Sequence, residues 1–244
     1  MSICSLQGKV ALVTGASRGI GQAIALALAK QGVTVVGTAR SEKTLQRVQH
    51  EIVTAGGIFH CVAADLADPD SPKKIIEATI AACGGLDILV NNAGIVAEGP
   101  VSEATVEEWD QLMAVNARAP FLLCKEAIPY MKTAGGGTII QIVSVIGVKA
   151  YVNQGVYTAS KHALMGMSKV LAQEVQKDNI RVHTILPGGV ATDMIAQVRP
   201  DLNPEDLMLP ADLAEIVIFL LTHRSNAVID DIHVRRANSS PWFS

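Results

Sequence analysis

The chain has 244 residues, 49% of them apolar and 18% charged, and 20 lysines and arginines against 23 aspartates and glutamates leave a formal charge of −3 at pH 7. That balance offers no broad positive field for nucleic acid or an anionic membrane, while the apolar half of the chain is enough for a large buried core. Cys4, Cys61, Cys83 and Cys124 stand far apart with no Cys-x-x-Cys pair, and the six histidines lack metal-ligand spacing, so no disulfide framework and no metal site is expected.

Met1 to Lys9 carries neither a basic start nor an extended apolar stretch, and no later run reaches the roughly 20 apolar residues of a membrane-spanning helix. A soluble, unprocessed, cytoplasmic protein is the expectation. Along the chain, short β-branched runs at 9–14, 33–38, 58–63, 86–90, 137–143, 180–185 and 229–234 read as strands. They alternate with segments of helical periodicity at 19–31, 42–55, 70–83, 105–133, 155–177 and 211–222, the fourth with a break at Pro120. The strands are nearly continuous apolar runs, as befits strands covered on both faces. The alternation predicts one doubly wound α/β domain, a Rossmann-type parallel sheet of seven strands with helices on both sides. No linker, repeat or charge block divides it. In such a sheet ligands bind beyond the carboxyl ends of the strands.

Directly after the first strand stands Thr14-Gly15-Ala16-Ser17-Arg18-Gly19-Ile20-Gly21, followed by an alanine-rich helix. Glycines let the backbone turn tightly and approach a pyrophosphate, whose charge the free N–H groups and the positive helix end attract. Taken alone, the same residues describe an ordinary strand-to-helix turn. The spacing T-G-x-x-x-G-x-G resembles the short-chain dehydrogenase/reductase family over about residues 7–222, including its 3-oxoacyl reductase members. Three further motifs stand in that family's order: Asn91-Asn92-Ala93-Gly94, Ser144 with Tyr157-x-x-x-Lys161, and Pro187-Gly188 with Thr192.

The resemblance implies a nicotinamide cofactor, and the end of the second strand bears on which one. An acid there would bind the adenosine ribose and repel a 2′-phosphate, whereas arginine favours the phosphate. The strand ends Gly37-Thr38-Ala39-Arg40-Ser41, with no acid, and Arg18 in the glycine turn reaches the same region. Two guanidinium groups without a carboxylate predict NADP(H) over NAD(H). By resemblance Gly15, Ser17, Gly19, Ile20 and Gly21 form the phosphate turn, Asp65 and Leu66 flank the adenine, and Asn92, Ala93 and Gly94 lie by the adenosine ribose. Read from the residue alone, Asp65 is equally a loop or cap carboxylate. Pro187 and Gly188, with the backbone of Val190 and the hydroxyl of Thr192, resemble the clamp on the nicotinamide carboxamide, which implies transfer at the pro-S face.

Tyr157 and Lys161 lie four apart in a helix, so their side chains share one face. A phenol titrates near pH 10, and an adjacent ammonium with a cationic nicotinamide ring is expected to lower it, making Tyr157 a general acid in reduction and a general base in oxidation. By resemblance Ser144 steadies the carbonyl oxygen, Lys161 also holds the nicotinamide ribose, and Asn116 anchors a water for proton relay near the lysine. Singly, a serine cap, a common Tyr-x-x-x-Lys pair and a helix-bending asparagine are the plainer accounts. A hydrolase reading of Ser144 fails because Ile142-Val143-Ser144-Val145-Ile146 has no G-x-S-x-G elbow.

The segment 193–210 occupies the family's substrate lid. Its Met194, Ile195, Val198, Leu202, Leu207 and Met208 either cover an apolar substrate or pack on the sheet edge, and Tyr151, Val152 and Gln154 are further candidates for the pocket wall. Many relatives reduce 3-oxoacyl groups on an acidic carrier protein, but the stretches where those carry basic residues read Lys132-Thr133-Ala134-Gly135-Gly136-Gly137 and Gln176-Lys177-Asp178-Asn179 here. A small ketone or aldehyde is therefore the leading substrate class. The 3-oxoacyl carrier-protein substrate, an epimerase or dehydratase, and a non-catalytic dinucleotide-binding regulator stand as alternatives. The family's usual assembly is a homotetramer, and the tail at about 235–244, with Trp242 and Phe243, departs from its pattern.

Overall fold

The computed structural model describes residues 4–199 and 201–241. Seven strands, β1 (Val10–Thr14), β2 (Thr34–Ala39), β3 (Ile58–Ala63), β4 (Ile88–Asn91), β5 (Gly137–Ile142), β6 (Ile180–Pro187) and β7 (Asp231–Val234), form one sheet in the order β3-β2-β1-β4-β5-β6-β7. Every neighbouring pair is parallel. The helices between them are α1 (Gly19–Lys30), α2 (Glu42–Thr54), α3 (Ser71–Cys83), α4 (Val106–Met113), α5 (Ala119–Thr133), α6 (Gly155–Val175), α7 (Asp193–Val198) and α8 (Pro210–Thr222). None among the described residues is long and apolar enough to cross a membrane.

Strand side chains alternate faces, and the core divides accordingly. Ala11, Val13, Val35, Val90 and Ile140 pack with α1, α2 and α8, whereas Leu12, Val36, Leu89 and Ile139 pack with α3, α5 and α6. Both faces of the sheet are thus covered, which is why the strands read as continuous apolar runs. Sequence order reverses between β1 and β4, the two strands that start the halves of the sheet. Past their carboxyl ends the flanking connections part to opposite sides and leave a crevice.

The expected elements are present with ends shifted by a residue or two, but the helical segment expected over 105–133 is three pieces. Thr105 and Glu108 close a capping box on α4, a wide π turn follows at Ala114–Arg118, and α5 begins with Pro120 in its first turn. Pro120 has no N–H to offer the carbonyl of Asn116 four residues back, so the regular ladder breaks there. The segment 193–210, expected as the substrate lid, contains the short helix α7. Trp242 and Phe243 lie outside the described residues.

Candidate active site

A cleft of about 870 Å³ opens past the carboxyl ends of β1, β4, β5 and β6. Its first wall is the turn after β1, where Gly15 (φ 66°) and Gly19 (φ 55°) take left-handed conformations that other residues rarely adopt. The turn is tied to β4 by a compact network. The Thr14 hydroxyl accepts the N–H groups of Asn92 and Ala93, each at 2.9 Å, and the Asn92 amide donates to the Thr14 carbonyl at 2.8 Å. The Asn92 side chain, expected at the adenosine ribose, therefore serves first to hold the turn, while Asn92, Ala93 and Gly94 all line the cleft. Gly21 does not line it: a Cβ there would run into the Gly15 carbonyl, so its contribution is to let α1 pack against the turn.

Thr38, Ala39 and Arg40 at the end of β2, with Asp65 and Leu66 after β3, line one end of the cleft. Arg40 is exposed and makes no ion pair among the described residues. The Asp65 carboxylate accepts the Ala67 N–H at 2.9 Å, so the residue is both a turn-capping group and part of the wall. Arg18 departs from expectation: its Nη1 donates to Asp193 Oδ2 at 3.0 Å. A carboxylate does meet one of the two arginines, and it comes from the start of α7, far along the chain, where strand-end reasoning does not look.

At the other end stand Ser144, Tyr157 and Lys161. Ser144 has φ 144° and ψ 158°, and its Oγ accepts the Ile146 N–H at 3.3 Å. Lys161 is almost fully buried, its Nζ donating to the Ile142 carbonyl at 3.3 Å and lying 5.9 Å from the centre of the Tyr157 ring. Burial of the phenol works against the expected acidification. Burial pushes Tyr157 up to about 12, with the Ser144 hydroxyl pulling in the opposite direction, and burial pushes Lys161 down to about 8. Desolvation disfavours the charged form of each group.

Asn116 lies in the π turn, fully buried, and does not line the cleft. Its Oδ1 accepts the Ile95 N–H at 2.9 Å, and its Nδ2 donates to the Ile95 carbonyl at 2.8 Å and to Ser160 Oγ at 3.0 Å. The Ser160 hydroxyl in turn donates to the Tyr157 carbonyl at 2.8 Å, joining the π turn to the first turn of α6. A Cβ on Gly94 would come 3.3 Å from Asn116 Oδ1 and 3.5 Å from Lys161 Nζ, so this glycine keeps the floor of the cleft open above both.

Pro187, Gly188, Val190 and Thr192 line the wall after β6. Thr192 Oγ1 donates to the Val190 carbonyl at 3.2 Å and caps α7 by accepting the Ile195 N–H at 3.5 Å. Of the lid candidates, Met194 and Ile195 face the cleft. Met208 is buried in the core, held by Ala191 N–H to Met208 O at 2.8 Å, while Val198, Leu202 and Leu207 stay off the cleft wall. Tyr151, Val152 and Gln154 are not in the wall either; the loop that carries them pairs instead with Gly99, whose N–H donates to the Asn153 carbonyl at 2.7 Å. Gln111, Val115 and Ile142 do line it and were not foreseen, because nothing in the sequence sets them apart from other helix and strand residues.

The short chain dehydrogenase family profile matches residues 9–203, which takes in the glycine turn, the Tyr157–Lys161 pair and Thr192. The chain belongs to the short chain dehydrogenase family. It is 37% identical, over 91% of its length and 92% of the relative's, to the 2,5-dichloro-2,5-cyclohexadiene-1,4-diol dehydrogenase LinX of Sphingobium indicum. Identity to the 3-oxoacyl-[acyl-carrier-protein] reductase FabG of Vibrio cholerae is 36%, over 88% of this chain and 91% of that one. The crystal structure of a metagenomic short-chain oxidoreductase in complex with NADP superposes with a TM-score of 0.85 at 38% identity, covering 97% of this chain and all of that one. Members of this family are oxidoreductases that use a nicotinamide dinucleotide, and the cleft fits one. It runs from a glycine turn where a Cβ on Gly15 or Gly21 would clash with its neighbours to a buried tyrosine and lysine, and at the β2 end the Thr38 hydroxyl is buried without a hydrogen-bond partner among the described residues.

Proposed function

We propose that this dehydrogenase uses NADP(H) to interconvert a small or medium apolar ketone or aldehyde and its alcohol, with Tyr157 as the proton donor and acceptor. The observation that carries the reading is that Ser144, Tyr157 and Lys161 meet at the end of the same cleft that begins at the glycine turn. When bound, the cofactor supplies or accepts the hydride, and in its oxidised form its ring adds a positive charge near the phenol. Gly15, Ser17, Arg18, Gly19 and Ile20 would hold the phosphates, Arg40 with Arg18 the 2′-phosphate, and Asp65 and Leu66 the adenine. Lys161 would hold the nicotinamide ribose, and Val190 and Thr192 would orient the carboxamide.

A phenol near 12 stays protonated at neutral pH, which suits a general acid delivering a proton to the oxygen of a carbonyl under reduction. The Ser144 hydroxyl donates to that oxygen where negative charge develops, lowering the barrier. Lys161, at about 8, keeps its proton through most of the neutral range and can pass one onward. By resemblance Asn116 would anchor a water for proton relay near Lys161, and its side chain is engaged with Ile95 and Ser160.

The 3-oxoacyl carrier-protein substrate is less well supported. Lys132, one of the few basic residues on the corresponding surface, is paired with Asp178 at 2.8 Å and so is not free to meet an acidic partner. Following NADPH fluorescence on binding, and then NADPH oxidation against a panel of cyclic and acyclic ketones and aldehydes, tests the reading. Tyr157→Phe should bind NADPH like the parent and lose turnover. A variant retaining near-parental turnover overturns the assignment of the proton donor.

A further inference from the structure

We propose that Asp193 is a specificity-determining residue that competes with a 2′-phosphate for the guanidinium of Arg18 and so limits how strongly the cleft favours NADP(H) over NAD(H). The inference rests on the reading of this cleft as an NADP(H) site. Arg18 stands at the start of α1 with an extended backbone (φ −164°, ψ 170°), which carries its side chain out of the glycine turn. From there its Nη1 meets Asp193 Oδ2 at 3.0 Å, while Arg40, at the end of β2, makes no ion pair among the described residues.

The position of the carboxylate is set by the fold. Asp193 is the first residue of α7, and the cap on that helix is Thr192, anchored to the Val190 carbonyl at 3.2 Å. An acid in the first turn also suits the helix dipole. The turn and the lid approach closely at this point, since a Cβ on Gly19 would come 3.1 Å from the Thr192 methyl. Arg18 therefore has two anionic partners to choose from, one built into the lid and one brought by the ligand, and whatever holds it at Asp193 is lost when it turns to a phosphate. Both side chains of the pair are largely exposed, at 70% and 76%, so the competition is modest. Removing it should be worth about a two- to fivefold change in affinity, larger at low salt than at high.

The test uses two nucleotides that differ only by the 2′-phosphate, 2′,5′-ADP and 5′-AMP, titrated calorimetrically into the full chain, Asp193→Asn, Arg18→Ala and the double variant at low salt. Asp193→Asn should tighten 2′,5′-ADP by about two- to fivefold and leave 5′-AMP unchanged, and the gain should vanish in the Arg18→Ala background and shrink on adding salt. Equal tightening of both nucleotides would mean only that a negative charge had left the cleft, and would overturn the proposal. So would a gain that persists without Arg18, or no gain. The parent's own preference between the nucleotides tests the NADP(H) reading separately: a parent binding both alike, with a variant that acquires a preference, refutes that reading and upholds the role of Asp193. If neither nucleotide binds any of the four proteins, both ideas fall.

Discussion

At Ser144 the demands of the fold and of the chemistry conflict, and two substitutions separate them. Its φ of 144° and ψ of 158° lie in a region that is essentially reserved for glycine. A residue with a Cβ held there is strained by about 1–3 kcal/mol. Alanine keeps the Cβ and the strain but loses the hydroxyl, with the 3.3 Å hydrogen bond it accepts from the Ile146 N–H. Glycine loses the same bond and relieves the strain, against which its more flexible unfolded chain counts about 0.4–1 kcal/mol. The balance puts Ser144→Gly above Ser144→Ala by about 1 kcal/mol, or roughly 2–4 °C in melting temperature for a chain of this size. At an ordinary position the order is reversed, with glycine about 0.5–1 kcal/mol below alanine. Thermal unfolding followed by circular dichroism at neutral pH measures the order, and NADPH oxidation measures turnover on the same samples. Both variants should lose activity by about 100- to 1,000-fold, having lost the same donor. If Ser144→Gly melts below Ser144→Ala, the serine is not strained and the reasoning fails.

Arg40→Asp should turn cofactor preference toward NADH, because a carboxylate at the end of β2 repels the 2′-phosphate; competitive titration of the two reduced cofactors reads the change, and an unaltered ratio removes Arg40 from the argument. Stability should depend on pH through Lys161: with its folded value near 8 against 10.5 when unfolded, the unfolded chain binds the extra proton between those values, so stability rises across that window as pH increases. The rise amounts to about 3 kcal/mol. Denaturant unfolding at pH 7 and above should show it in the parent and not in Lys161→Met. Tyr157 acts in the opposite sense at higher pH: its value of about 12 against 10 when unfolded contributes stability that is fully present below 10 and is lost as pH climbs to 12. Tyr157→Phe should flatten that loss, which melting curves at alkaline pH would reveal. Finally, Gly21→Ala should weaken nucleotide binding and destabilise the fold by about 1–3 kcal/mol, since its Cβ meets the Gly15 carbonyl, a backbone atom that cannot swing aside; unimpaired binding and melting would contradict the close packing of α1 on the turn.

Much of this was legible in the chain itself, because local chemistry dictates it. Burial on both faces forces near-continuous apolar strands, 3.6-residue periodicity marks the helices between them, and only glycine tolerates the left-handed turns at positions 15 and 19. The seven-stranded sheet, the glycine turn and the shared face of Tyr157 and Lys161 followed from such rules, which act over a few residues. What the tertiary structure alone decided are the effects that depend on distance through space. Burial opposes the expected acidification of Tyr157, and that opposition was not legible in the sequence because desolvation is set by how much protein surrounds a group and not by its sequence neighbours. Asn116 proved to be tied to Ile95 and Ser160 behind the cleft, and Met208 to be part of the core and not a cover for substrate, since their partners come from other strands and helices. Arg18 met a carboxylate 175 positions away, an encounter that depends on where α7 starts relative to the glycine turn and that no pattern within either segment encodes.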